Sequence, residues 1–416
     1  MKSRVESKER EFYMSRISYE QALHLIENKI CRPSPVTVSL DDALGCVCAE
    51  NIIATINQPP FPRSPYDGYA IRAEDLKDAS KNTPVTLKVI GESFAGAPAD
   101  VDVKAGETVR IMTGGVIPNG ADAVMMQEKT DYGKKFVNIF DTISPYQNYC
   151  YEGEEYKKGE ILVHAETILN AAACAVISGS GTAEVFVYQK PRVGIISTGN
   201  EIKEIKAQGE SLSLGQIYGI NGQYIKSRLR ELRFPVVNNI VARDEIEQLT
   251  NSIKLTLADS DLIFINGGIS VGEKDLVPHA LEILGAQIIF QGVQMKPGMP
   301  VSFAIIDDKP ILAFSGNPFA CAVTFELLGR KLLACMTSDS KLMPTEITAA
   351  LNESYSKNRP IRRFARAIYK NGKVSLCKQQ SNGQMYDMIK SNCLAELSAG
   401  NEILEIGETV KVHLLC

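Results

Sequence analysis

Residues 261–275 read Asp-Leu-Ile-Phe-Ile-Asn-Gly-Gly-Ile-Ser-Val-Gly-Glu-Lys-Asp, and this stretch narrows the possible folds more than any other. The apolar run Leu262 to Ile265 predicts a buried parallel strand. It breaks into a loop with Gly267, Gly268 and Gly272 that carries Ser270 and ends on Glu273 and Asp275, just before an apolar-periodic helix. Strand, glycine loop and helix N-terminus form a geometry that receives phosphates and other anions. Acids on such a rim would repel a bare anion, but they suit one held through a divalent metal.

The surrounding text repeats the strand–helix alternation. Strands are predicted at 193–197, 236–241, 261–265 and 287–290, and helices at 222–232, 246–257 and 275–284, the last closed by Gly285. Asp244 is placed to cap the second helix. Two further strands, 301–306 and 310–314, are joined by Asp307-Asp308, a hairpin signal. Asn317-Pro318 supplies a cap and a first-turn proline to a helix reaching Leu333. The alternation predicts a doubly wound α/β domain.

The flanks follow other periods. Residues 1–16 read as a charged tail, and Ser18 to Ile30 as an amphipathic helix. Short strands at 36–57, a Pro-rich loop and alternating runs over 84–165 predict a β-rich barrel or sandwich, followed by a helix at 167–180. Residues 345–416 predict a small all-β domain. A formal net charge of −4 supplies no basic excess for nucleic acid. No apolar run reaches the roughly 18 residues of a membrane span, and the start of the chain is no signal peptide. Ten cysteines without a CxxC pair suggest a reducing cytoplasm rather than a disulfide framework.

Three predicted strand ends carry polar loops: Ser197-Thr-Gly-Asn-Glu201, 266–275 and Ser315-Gly-Asn-Pro318. Ligands of open α/β sheets bind at such ends. Glu201 and Asp275 on one rim could hold Mg²⁺ against phosphate oxygens; read singly, each loop is equally well a turn with a helix cap. Lys296-Pro-Gly-Met-Pro300 fixes a cation beside the rim, or is a solvated turn. In the β-rich part, Asp67-Gly68 after a proline stretch is a tight turn with an exposed carboxylate. Thr113 precedes two glycines that allow close backbone approach.

Taken in order, these segments resemble the molybdopterin molybdotransferase family of bacterial MoeA and gephyrin E-domain-like molybdenum insertases. The carriers are Pro-Tyr-Asp67-Gly-Tyr-Ala, Arg110-Ile-Met-Thr-Gly, Gly120-Ala-Asp-Ala-Val, Ser197-Thr-Gly-Asn-Glu201, Gly267-Gly-Ile-Ser-Val-Gly-Glu-Lys-Asp275, Met295-Lys-Pro-Gly and Ser315-Gly-Asn-Pro, spanning about residues 17–416. The resemblance implies an α/β plus β multidomain fold: a doubly wound MogA-like α/β domain at 191–336, a β-rich barrel-like domain at 59–149, an elongated linker domain from 17–58 and 150–190, and a small C-terminal β-barrel at 337–416. It implies a cytoplasmic homodimer with a shared active site. The reaction would insert molybdenum from molybdate into adenylylated molybdopterin, with Mg²⁺ and release of AMP. A MogA-like adenylyltransferase and molybdoenzyme apoproteins are the implied partners.

Residue by residue, the resemblance implies catalytic roles for Asp67, Asp275 and Thr113, and Mg²⁺ ligation by Glu201, Asp275 and Asp244. Gly267, Gly268, Ser270, Gly272, Ser315, Gly316, Asn317, Asn221 and Glu155 would bind the substrate. Lys296, Ser391, Arg363 and Arg366 are the candidates for molybdate. The chain departs from the pattern at Met299, where a second lysine is usual, at Gln291-Gly292, where a basic residue is common, and at Asn200, Gly219 and Glu155, where the pattern has aspartate. Two rivals follow: a non-catalytic pterin- or partner-binding paralogue, and a dinucleotide oxidoreductase, which the absence of GxGxxG after the strand at 193–197 disfavours.

Overall fold

The computed structural model describes residues 16–205, 209, 211–269, 276–356, 359–400 and 403–415. The tail expected over 1–16, all but Arg16, and the site residues Ser270, Gly272 and Asp275 lie outside the described residues. The chain forms two compact units. One is Val36–Val187; the other joins the segment before it, through Pro35, to everything from Tyr188 onward.

In the second unit the predicted alternation becomes β1 (Val193–Thr198), α1 (Asn221–Glu231), β2 (Val236–Ala242), α2 (Ile246–Asp259), β3 (Leu262–Asn266), α3 (Leu276–Ile283), β4 (Gln287–Gln291), β5 (Val301–Ile306), β6 (Lys309–Phe314) and α4 (Pro318–Thr324). The sheet order is β2-β1-β3-β6-β5-β4. The first four strands in that order run parallel, while β5 is antiparallel to both neighbours. The hairpin at Asp307 and Asp308 is confirmed: both have positive φ, 49° and 61°, as a two-residue primed turn requires.

Every residue of β1 and β3 is buried, as expected of strands covered on both faces. Alternation divides their side chains between two cores. Ile195, Leu262 and Phe264 pack toward α1 and α4, whereas Ile196, Ile263 and Ile265 pack toward α2 and α3. Emptying a site such as Phe264 would cost about 3–5 kcal/mol.

Two local expectations are corrected. The N-cap of α2 is Glu245, not Asp244, and it makes no side-chain capping bond; Asp244 is turned to the loop cluster instead. The helix after Asn317 does not run unbroken to Leu333. After α4 comes a π-turn, Phe325–Gly329, and then a helix over Arg330–Thr337.

An N-terminal helix, Tyr19–Lys29, opens with a capping box between Ser18 and Gln21 and adds Tyr19, Ala22 and Ile26 to the larger core of this unit. The C-terminal strands Thr345–Leu351, Arg362–Lys370, Lys373–Leu376, Cys393–Leu397 and Thr409–Leu414 close into a barrel, because Arg362–Lys370 pairs with both Lys373–Leu376 and Cys393–Leu397. Ala365, Ala367 and Ala395 fill its interior, and small side chains suit a narrow barrel.

In Val36–Val187 a five-stranded sheet holds Gly68–Ile71 between Glu107–Ile111 and Ala123–Met126. A separate core joins Val36–Ser39 and Ile52–Ile53 to Ile161–Val163 and Glu184–Tyr188, over the helix Ala171–Gly179.

Candidate active site

The order β2-β1-β3 reverses direction about β1, so the carboxyl ends of β1 and β3 diverge and leave a crevice between their loops. A cleft of about 1010 Å³ opens there. Its wall is made by the loops 197–202, 217–221, 266–269 and 315–318, together with Asp244. Of the sequence-predicted residues, Glu201, Asn221, Asp244, Gly267, Gly268, Ser315, Gly316 and Asn317 all meet in this cleft.

The loops are held close by backbone geometry. Gly267 has φ +93°, and a Cβ there would lie 2.5 Å from the Thr198 carbonyl oxygen. A Cβ on Gly316 would touch the Gly267 Cα at 3.4 Å. Asn266 at the end of β3 donates to Ser197 Oγ at 2.9 Å and pins the floor of the cleft to β1. Asn221 Nδ2 donates to the Gly316 carbonyl at 2.8 Å and spans two walls. Asn200 accepts from the Asp244 N–H at 3.2 Å, so the amide replacing the usual aspartate ties the β1 loop to the β2 loop.

Among the described residues, two buried polar atoms lining the cleft have no partner: Thr198 Oγ1 and Asn221 Oδ1. Because leaving a buried polar group unsatisfied is costly, such atoms mark where a ligand's hydrogen bonds belong. Sequence reasoning missed Thr198 and Asn266. Each ends an otherwise apolar strand, and that polar terminus was the available signal. Among the described residues, no group of three His, Cys, Asp or Glu gathers to hold a metal. Glu201 and Asp244 offer oxygen donors of the kind Mg²⁺ takes.

The oxyanion candidates sort by strand register. The short strand Met295–Lys296 pairs in parallel with Arg362–Lys370, setting Lys296 opposite Arg363. Register partners in a sheet share a face. Arg362, one residue earlier, points the other way and ion-pairs with Glu396 at 3.2 Å. Arg366 is fully buried, its guanidinium 3.9 Å from the centre of the Phe319 ring and donating to the Ser381 carbonyl at 3.0 Å. Burial pushes its pKa down, with repulsion from Arg363 adding to the shift. The Nε atoms of Arg363 and Arg366 are both buried donors without an acceptor among the described residues. The Ser391 hydroxyl donates to the Asp387 carbonyl at 2.8 Å and lies 3.4 Å from Cys377 Sγ.

Asp67 and Thr113 meet in the other unit. Asp67 Oδ1 accepts from both the backbone N–H and the hydroxyl of Thr113, each at 2.8 Å. The N–H first, and the hydroxyl second, hold the Asp67 carboxyl below its usual range. Gly68 makes the corner possible: a Cβ there would lie 2.0 Å from the Met125 carbonyl oxygen. Glu155 donates its N–H to the Gln58 carbonyl at 2.9 Å, and its side chain is exposed.

A doubly wound sheet with a polar cleft at its strand ends, carried with two β modules, defines a multidomain α/β protein of the ligand-binding kind. Comparison with known proteins gives the family. The MoeA N-terminal region (domain I and II) matches residues 17–181, a probable molybdopterin binding domain matches 194–334, and the MoeA C-terminal region (domain IV) matches 348–415. The chain is 33% identical over 402 residues to the molybdopterin molybdenumtransferase of Staphylococcus aureus (strain COL), covering 96% of this chain and 95% of that protein. It is 32% identical over the same shares to the one of Staphylococcus epidermidis (strain ATCC 12228 / FDA PCI 1200). A crystal structure of the molybdopterin biosynthesis MoeA protein from Pyrococcus horikosii superposes with a TM-score of 0.80 at 31% identity, covering 96% of this chain and 99% of that one. The chain belongs to the molybdopterin molybdenumtransferase family, enzymes of molybdenum cofactor biosynthesis.

Proposed function

We propose that this chain inserts molybdenum from molybdate into adenylylated molybdopterin and releases AMP. The observation that carries the reading is the cleft itself, with glycine loops for close approach, Glu201 on its rim and, among the described residues, two unpartnered polar atoms in its wall. Backbone N–H groups of the 267–268 and 315–317 loops receive phosphate oxygens. Thr198 and Asn221 orient the ligand through their open hydrogen-bonding atoms. Glu201, Asp244 and Asp275 would hold Mg²⁺, which would supply charge neutralisation for a pyrophosphate. Lys296 and Arg363 attract molybdate, and the open Nε donor of Arg363 meets its oxygens. Asp67, kept ionised by Thr113, accepts the proton of the water that attacks the adenylate's phosphoanhydride, as the P–O bond breaks and AMP leaves. The enzyme works as a cytoplasmic homodimer in which Asp67 and Thr113 of one copy serve the cleft of the other. It takes its substrate from a MogA-like adenylyltransferase and passes its product to molybdoenzyme apoproteins.

The test is direct. Purified protein supplied with Mg²⁺, molybdate and adenylylated molybdopterin should release AMP in step with cofactor formation. No AMP, under conditions where the Staphylococcus aureus relative turns over, defeats the reading. The second reading, binding without turnover, draws on Met299 and Gly219. It requires tight molybdopterin binding, no insertion, and no effect of Asp275→Ala.

A further inference from the structure

One buried charge cluster lies outside the cleft and takes no part in the chemistry above. Glu326 is fully buried in the π-turn that follows α4. Its Oε1 accepts from the Tyr224 hydroxyl and from Arg228 Nε, both at 2.7 Å. Its Oε2 accepts from Arg330 Nη1 at 3.0 Å and Arg228 Nη2 at 3.2 Å. Arg228 Nη2 also donates to the Leu415 carbonyl at 2.9 Å. Burial, with Glu326 beside it, pushes the Tyr224 phenol well up, so the hydroxyl remains a donor.

A fully buried carboxylate between Arg330 and Arg228, the latter also ion-paired with Glu231 at the surface, costs more to bury than a well-packed apolar cluster of the same volume. A group retained at that cost fixes geometry better than it adds stability. Here the geometry is specific. Tyr224 and Arg228 lie one and two turns along α1 from Asn221, on the same helix face. Asn221 Nδ2 binds the Gly316 carbonyl, and its Oδ1 is an acceptor in the cleft wall without a partner among the described residues. Glu326 follows α4, whose first residues leave the 315–317 loop directly. The carboxylate therefore ties together the two helices that carry facing walls of the cleft. Glu326 sits within the π-turn itself, a feature that inserts an extra residue into a helix and recurs at functional sites.

We propose that Glu326 is a positioning residue: through Tyr224 and Arg228 it sets the place of Asn221 against the 315–317 loop, and so the ground-state affinity of the cleft for its pterin ligand. The inference rests on the reading that molybdopterin occupies this cleft.

The experiment measures anaerobic molybdopterin binding by calorimetry, molybdate binding, and steady-state turnover for full-length wild type, Glu326→Gln and Tyr224→Phe. Tyr224→Phe deletes a single hydroxyl and keeps the ring, so it reports even where Glu326→Gln folds poorly. The expected result is about tenfold weaker molybdopterin binding for Glu326→Gln and a smaller loss for Tyr224→Phe. KM should rise while kcat and molybdate affinity stay near wild type. In an Asn221→Ala background neither substitution should weaken binding further, because its route to the ligand is gone. A merely structural role predicts the reverse split: a smaller active fraction, hence lower apparent kcat at unchanged KM. That outcome, or additive losses in the Asn221→Ala background, overturns the proposal. Failure of wild type itself to bind molybdopterin would instead overturn the reading on which it rests.

Discussion

The cleft of the α/β unit and the Asp67 corner of the β-rich unit hold polar groups in opposite ways. In the cleft, binding atoms are buried and left open: Thr198 Oγ1 and Asn221 Oδ1 have no partner among the described residues. At the corner, Asp67 is only part-buried, and its carboxylate is already held by two bonds from Thr113. The first arrangement stores unmet hydrogen bonds for a ligand to satisfy. The second fixes the charge and direction of a single group while leaving it reachable. A binding surface and a reacting group need these different treatments.

Asp67→Asn breaks the comparison most sharply. The amide oxygen still accepts from Thr113, but the charge is gone. Turnover should fall about 10²–10⁴-fold, the usual range for losing a positioned acid–base group, with molybdopterin affinity unchanged by calorimetry. Weakened binding of similar size would mean that Asp67 belongs with the ligand-holding groups.

Gly267→Ala attacks the cleft. Its Cβ would need to occupy space 2.5 Å from the Thr198 carbonyl oxygen, at φ +93°. Strain of about 1–3 kcal/mol is expected. It should appear as a lowered melting temperature and at least about tenfold weaker molybdopterin binding, while the Asp67 corner keeps its pH behaviour.

Lys296→Ala removes the cation in register with Arg363. Loss of a charge-assisted bond of about 1.5 kcal/mol corresponds to about tenfold weaker molybdate binding. Unchanged affinity would move the oxyanion site elsewhere. Met299→Lys adds a partly exposed cation and should tighten molybdate by less, within the about 0.2–1 kcal/mol of exposed pairs, and increasingly so at low salt.

Thr113→Val gives the smallest effect. It deletes the hydroxyl bond and leaves the backbone bond. The folded-state pKa of Asp67 is depressed, so the carboxylate's contribution is present above its unfolded value and is lost as pH falls through the folded value. With one bond removed the folded value rises, and the acid limb of the pH–rate profile should move to higher pH. An unmoved limb would show that the backbone N–H alone sets the ionisation.

The strand–helix order of the α/β unit was readable from residues because its signals are local. Apolar runs such as Leu262–Ile265, the caps and the Asp307-Asp308 turn each act within a few residues. Where a neighbour in space decided the outcome, local reading failed. Asp244 looked like a cap, yet Glu245 holds that position and Asp244 joins the cleft. The helix after Asn317 looked continuous, yet a π-turn interrupts it at Glu326, whose partners Tyr224 and Arg228 lie about a hundred residues away.

The oxyanion candidates show the same division. Arg362, Arg363 and Arg366 look alike in Ile361-Arg-Arg-Phe-Ala-Arg. Strand alternation turns Arg362 to Glu396 and puts Arg363 beside Lys296, while Arg366 disappears under Phe319. By itself the sequence determined the element types, the glycine loops and the inventory of acids and cations, because propensity, capping and turn chemistry are properties of short segments. Only the tertiary structure decided which of those groups are neighbours, which are already satisfied and which remain open, because pairing and burial depend on contacts between residues far apart in the chain.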